Sequence, residues 1–399
     1  MAPRAQRRWL TRSVLAIGVA SLCSDLSHEM ATTILPVFLS TEIGATALAL
    51  GAIEGIADGL ASYFKLVGGW WTDRVGRRKP VAVSGYLVTT VATASFALAT
   101  TWVMVLASRG LAWMARGWRT PARNALLADS TEREFYGKVF GFERAADTIG
   151  AVVAPMLALA LLEAGVGFRR IFLLTLIPGL AAAAAIAFFV SEIPRPADRH
   201  RRLIGDVKTL PRSFLLFLVI AGIFGLGQFA PTLLVLRATQ LTGEADTAIA
   251  LYVVFNIVQA ASAYVIGSLT HRAGSASLLG MSYFLFAASA AGFAVAEADL
   301  LSLTALFALT GLAVGGIEAM EPTVAAELIP ASVRGTGFGA LAAANGLGDL
   351  LSSLVVGAMW TALGPAYGFG FAACCNLISV ILLFAWSRRF AQRAKPRGN

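Results

Sequence analysis

Three ionisable residues, Asp25, His28 and Glu29, stand within the otherwise apolar stretch SDLSHEMATTILP. On a helix Asp25 and Glu29 share one face, and Asp25 and His28, three apart, can also turn the same way. A carboxylate so placed can hold a cation or a proton, and the three residues together offer hard or intermediate metal ligands. The same four-residue spacing recurs at Glu54 and Asp58, at Glu143 and Asp147, and at Asn345 and Asp349. Arg109 and Arg116 supply forked donors suited to carboxylates, and Glu318 lies in the segment GGIEAMEPTV. These are the candidates for handling a substrate or a proton. An aromatic and amide group, Gln228, Phe229, Tyr252, Phe255, Asn256 and Gln259, is expected to line the cavity they serve.

The elements that must position these residues are apolar helices. The hydrophobic fraction is 57% and the charged fraction 14%, against about 25% charged in a soluble domain. Twelve apolar segments recur, near 13–40, 44–68, 80–100, 103–126, 138–162, 168–190, 212–237, 247–268, 275–296, 300–325, 336–361 and 367–387. Most reach the roughly 20 residues that a helix needs to cross a bilayer, and blocks of this length exclude a barrel of short alternating strands. Charged groups inside such segments face a bundle interior or an aqueous cavity.

Basic residues cluster before the first segment, between the second and third, across 191–212 and after the last. With twelve crossings all of these fall on one side, which places both termini in the cytoplasm. The net charge of +9 is thereby accounted for without a nucleic acid. The first segment leads straight into another and is not expected to be a cleaved signal peptide. Cys23, Cys374 and Cys375 lie inside apolar segments and suggest neither a disulfide framework nor a metal cluster.

The polar run 191–212 divides the chain into a bundle over 1–190 and a second over 213–399. At an offset of 198 residues Gly69, Arg74 and Gly76 coincide with Gly267, Arg272 and Gly274, and Asp129 with Glu327. Gly137, Phe140 and Gly141 coincide likewise with Gly335, Phe338 and Gly339. A shared offset of this kind marks an internal repeat, and two parallel six-helix units rocking about a midplane site form a transporter architecture.

The loop GWWTDRVGRRKP, Gly69 to Pro80, resembles the signature of the major facilitator superfamily, and GSLTHRAG at 267–274 is a weaker copy. The resemblance implies an all-α membrane protein with two pseudo-symmetric six-helix bundles in a bacterial cytoplasmic (inner) membrane. It further implies a cytoplasmic latch built from Gly69, Asp73, Arg74, Gly76, Arg77 and Arg78, with Arg123 and Asp129 as its partners. Asp73 can accept charge-assisted bonds from arginines or from helix-end N–H groups. Arg109 resembles a conserved basic position of the family's fourth helix.

The expected function is that of a proton-coupled secondary transporter exporting a small cationic or amphipathic compound, with membrane lipids as its surroundings. The alternatives are an organic anion bound by Arg109 and Arg116, a divalent metal held by Asp25, His28 and Glu29, and a receptor or scaffold that transports nothing. No cofactor is expected beyond the coupling proton. The absence of a Gly-x4-Gly-Lys-Ser/Thr loop argues against an ATP-driven enzyme, and a monomer supplies both halves.

Overall fold

The computed structural model describes residues 9–45, 47–198, 203–229 and 231–394, and every regular element among them is helical. The first half comprises α1 (Arg12–Thr41), α2 (Ala47–Val75), α3 (Arg78–Ala94), α4 (Trp102–Asp129) and α5 (Tyr136–Glu163). A sixth rod follows in two pieces, α6a (Phe168–Leu174) and α6b (Leu176–Phe189). The second half begins with another broken rod, α7a (Arg212–Leu226) and α7b (Pro231–Thr242). It continues with α8 (Ala245–Ser268), α9 (Ser275–Ala294), α10 (Leu300–Leu328), α11 (Arg334–Leu363) and α12 (Pro365–Ala394). Among the described residues, eight helices are long and apolar enough to cross a membrane by length and composition. The helices α1 and α4 are not among them, because they carry the charges that the fold turns inward.

In the first half α1 packs on α5 and α6b, α2 on α4, and α3 on α4 and α6b; in the second, α8 packs on α10, α9 on α10 and α12, and α7a on α11 and α12. The halves meet along α2 with α11 and along α5 with α8. Both contacts press glycine backbones together. A side chain on Gly69 would strike the carbonyl of Gly335, and one on Gly137 would strike Thr270.

Residues separated by the repeat offset face each other across this seam. The rings of Phe140 and Phe338 lie 5.8 Å apart, and Arg334 Nη2 donates to the hydroxyl of Tyr136 at 3.0 Å. These contacts lie at the end of the molecule where the chain enters α1, here termed the terminal face. Toward the opposite, far face the first half has its own core, in which Met30, Leu35, Phe38, Phe96 and Phe172 pack without any residue of the second half.

At each break a side chain donates to a carbonyl inside apolar surroundings, where an unpaired polar group is costly; the Thr175 carbonyl also accepts from Gly179 N at 3.1 Å. Ser27 Oγ donates to the carbonyl of Thr175 at 2.9 Å, and Asn376 Nδ2 to that of Gly227 at 3.1 Å. The second break turns Gln228 and Phe229 toward the interior. Asn376→Leu should therefore destabilise the detergent-solubilised protein by about 1–3 kcal/mol, read as a lowered midpoint in thermal or denaturant unfolding; an unchanged midpoint would remove this role.

Candidate functional site

A cavity of about 310 Å³ lies between the halves, at the lower end of the size usual for small-molecule sites. From the first half it is lined by Asp25 and Glu29 of α1, Arg116 of α4, and Arg144 and Asp147 of α5. The second half contributes Gln228, Phe229, Tyr252, Phe255, Asn256 and Gln259, with Glu318 of α10. The aromatic side of the wall is ordered by stacking, Tyr252 on Phe255 with centroids 5.5 Å apart.

Charge in the cavity is arranged as pairs. Arg116 meets Asp25 at 3.0 Å, and Arg144 meets Asp147 one helical turn along α5 at 2.7 Å. Arg144 also crosses to the second half: its Nε donates to Glu318 Oε2 at 2.6 Å, its Nη2 reaches Glu318 Oε1, and Gln259 Nε2 donates to Glu318 Oε2 at 2.7 Å. One guanidinium thus joins the two bundles through the wall of the cavity between them. Four carboxylates and two arginines line this space, so its wall is acidic in sum.

Other candidates lie behind the wall. Arg123 pairs with Glu143 at 2.8 Å, and Ser21 donates to Glu143 at 2.5 Å. The expected partnership of Arg123 with Asp129 is therefore corrected: Arg123 reaches from α4 to Ser21 of α1 and Glu143 of α5 in a buried network, and Glu143 does not line the cavity. Arg109 does not line it either. Its guanidinium lies over the Trp113 ring at 3.6 Å and its Nη1 donates to Thr32 at 3.0 Å. His28 packs on the same tryptophan at 4.3 Å, with Nε2 3.5 Å from Glu29. Asp25 turns instead to Arg116, and among the described residues no three metal-ligating side chains converge. The divalent-metal alternative loses its ligand set.

Asn345 and Asp349 are likewise not part of the cavity wall. Asn345 Nδ2 donates to Glu321 at 2.5 Å, and Tyr283 donates to the same carboxyl at 2.6 Å. Glu321 is thus held by two neutral donors. Glu54 and Asp58 lie on α2, but their side chains fall outside the described residues.

The terminal face carries a second polar cluster. Asp73 accepts from the backbone N–H of Gly335 at 3.1 Å and of Thr336 at 2.6 Å, and from the Thr336 hydroxyl at 2.9 Å. These donors belong to the first turn of α11, where a carboxylate also meets the positive end of the helix dipole. Asp129 holds three guanidinium groups: Arg78, Arg195 at 3.0 Å and Arg334 at 2.6 Å. Arg78 Nη2 donates to the Ala331 carbonyl of the second half at 2.7 Å. Gly76, with φ of +70°, forms the turn. Arg74 lies over Trp70 at 5.1 Å, and Arg77 is exposed.

Arg144, Arg195 and Arg334, which the sequence did not single out, pair with carboxylates of the cavity and of the terminal face. Arg334 was within reach, because the repeat offset pairs it with Tyr136. Arg195 and Arg144 were not, since nothing in local spacing shows which carboxylate a long side chain will meet.

The family model described as Major Facilitator Superfamily matches residues 17–245 and again 213–399. An uncharacterized MFS-type transporter of Methanocaldococcus jannaschii is 30% identical over 94% of this chain and 95% of its own. The cis,cis-muconate transport protein of Acinetobacter baylyi is 25% identical over 82% of this chain and 80% of its own. Among solved structures, the human organic anion transporter MFSD10 superposes with a TM-score of 0.76 at 17% identity, covering 93% of this chain and 99% of that one. The chain belongs to the major facilitator superfamily and is a multi-pass membrane transporter, not an enzyme.

Proposed function

We propose that the protein moves a small organic anion together with protons by alternating access, through twelve crossings with both termini in the cytoplasm. With the terminal face inside, the seam closed there corresponds to an outward-facing state. The observation that carries this reading is the Arg144 guanidinium, shared between Asp147 of one half and Glu318 of the other. A substrate carboxylate can take the place of Glu318 on that fork. The displaced Glu318 must then bind a proton, because a bare carboxylate would be left uncompensated in a low-dielectric wall. Anion and proton binding are thereby linked.

This replaces the expected cationic cargo with the organic-anion alternative, and Arg144 takes the place of Arg109 beside Arg116. The cis,cis-muconate transported by a relative is a dianion, which supports the same class. The acidic sum of the wall favours a second reading, a cationic cargo.

Flux into proteoliposomes decides between them. An organic dianion such as cis,cis-muconate should enter faster with acid outside, while a lipophilic cation and a divalent metal should not. Accumulation of the cation alone, or anion flux indifferent to the pH gradient, would overturn the proposal.

A further inference from the structure

Residues 190–198, which open the segment joining the two halves, are laid across the terminal face and bound to the first half. Ser191 N donates to Ser13 Oγ at 3.0 Å, and Glu192 accepts from the N–H of Lys79 at 3.0 Å and from that of Arg78. Lys79 Nζ donates to the Val190 carbonyl at 2.8 Å. Arg195 N donates to the Gly76 carbonyl and Asp198 N to that of Arg74, each at 3.0 Å. A side chain on Gly76 would collide with the Arg195 carbonyl, so the turn glycine is also what seats this strap.

Pinned in this way, Arg195 Nη2 reaches Asp129 Oδ2 from within the first half, while Arg334 reaches Oδ1 from the second. When the halves part, Arg334 must leave and Arg195 stays. Three guanidinium groups, of Arg78, Arg195 and Arg334, crowd Asp73 and Asp129, with Asp198 on the wall of the same pocket, and Arg195 Nη1 is buried without a hydrogen-bond partner. Burial, and then the neighbouring Arg334 charge, hold Arg195 below the usual arginine range. Like charges sharing one carboxylate weaken each other's hold on it.

We propose that Arg195 is a counter-latch: a positioning residue that competes with Arg334 for Asp129 and makes the terminal face easier to open. Two effects act in the same direction. In the closed state Arg195 repels Arg334, and in the open state it remains on Asp129 beside Arg78, so the departure of Arg334 strands no charge. Its loss should tighten the closed face, whereas an ordinary clamp would loosen it. The inference rests on the alternating-access reading, in which this face opens during transport.

The test measures distances between spin labels on Pro80→Cys and Ala273→Cys, both exposed on the terminal face, in full-length protein in lipid nanodiscs with Cys23, Cys374 and Cys375 replaced by alanine. Asp73→Asn, which keeps Arg334, should populate the longer, open distance. Adding Arg195→Gln should reduce that open population about three- to tenfold, while adding Arg195→Lys, which keeps both charge and strap, should leave it near that of Asp73→Asn alone. A double variant with Arg195→Gln as open as Asp73→Asn, or more so, overturns the counter-latch even if the wild type is fully closed. Failure of Asp73→Asn to open the face at all overturns the gate itself, and with it the reading on which this inference stands.

Discussion

Arg144→Gln should lower flux into proteoliposomes by about two orders of magnitude, while the protein still inserts and purifies. The change leaves Asp147 and Glu318 without the guanidinium they share. Breaking a buried pair by removing one partner costs about 3–5 kcal/mol. The lower end applies here, because Arg144 faces a cavity, and it corresponds to roughly a hundredfold in rate. Neutralising Glu318 as well should recover thermal stability, since Glu318→Gln removes one of the stranded charges, but not flux, because the fork and the proton acceptor are then both gone. A flux within threefold of wild type in the single variant would show that the substrate does not use this fork.

Asp73→Asn should come next in size. The variant keeps the shape but loses the charge that meets the α11 N-terminus, and at most one of the two oxygens can still accept. A helix-end carboxylate in a partly buried setting contributes up to about 2 kcal/mol, which corresponds to roughly a thirtyfold shift from the closed terminal face. Flux should fall about tenfold with insertion unchanged, and thiol probes should reach the seam between α2 and α11 more readily. Equal labelling in variant and wild type would deny Asp73 any part in holding that face shut.

Much of the architecture was legible because hydrophobic blocks and a constant offset are properties of the chain itself. The contact of Phe140 with Phe338, and the equivalence of the Gly69–Gly335 contact to the Gly267–Gly137 contact, follow from the one number, 198, that relates the halves. The cavity wall was partly legible for a similar reason: Asp25 and Glu29, or Asn256 and Gln259, share a helical face wherever the helix is packed. Choice of partner was not. Arg123 stands six residues before Asp129 in the sequence, yet its side chain runs to Glu143 on the neighbouring helix. Arg109 looked like a substrate ligand by position on α4, and Trp113 one turn along covers it instead. Arg195 belongs to a polar linker that composition alone treats as a spacer, and only the fold brings it to Asp129.

The contact between Arg334 and Tyr136 has an ancestral implication. In a newly duplicated gene the two positions would have held the same amino acid, and each would have met its twin across the join. Two arginines would have repelled each other there, and two tyrosines would have left Asp129 with one cation fewer. With Arg334 as donor and Tyr136 as acceptor, the contact joins two repeat-related positions that are no longer equivalent, so the halves are not interchangeable at this point of the join.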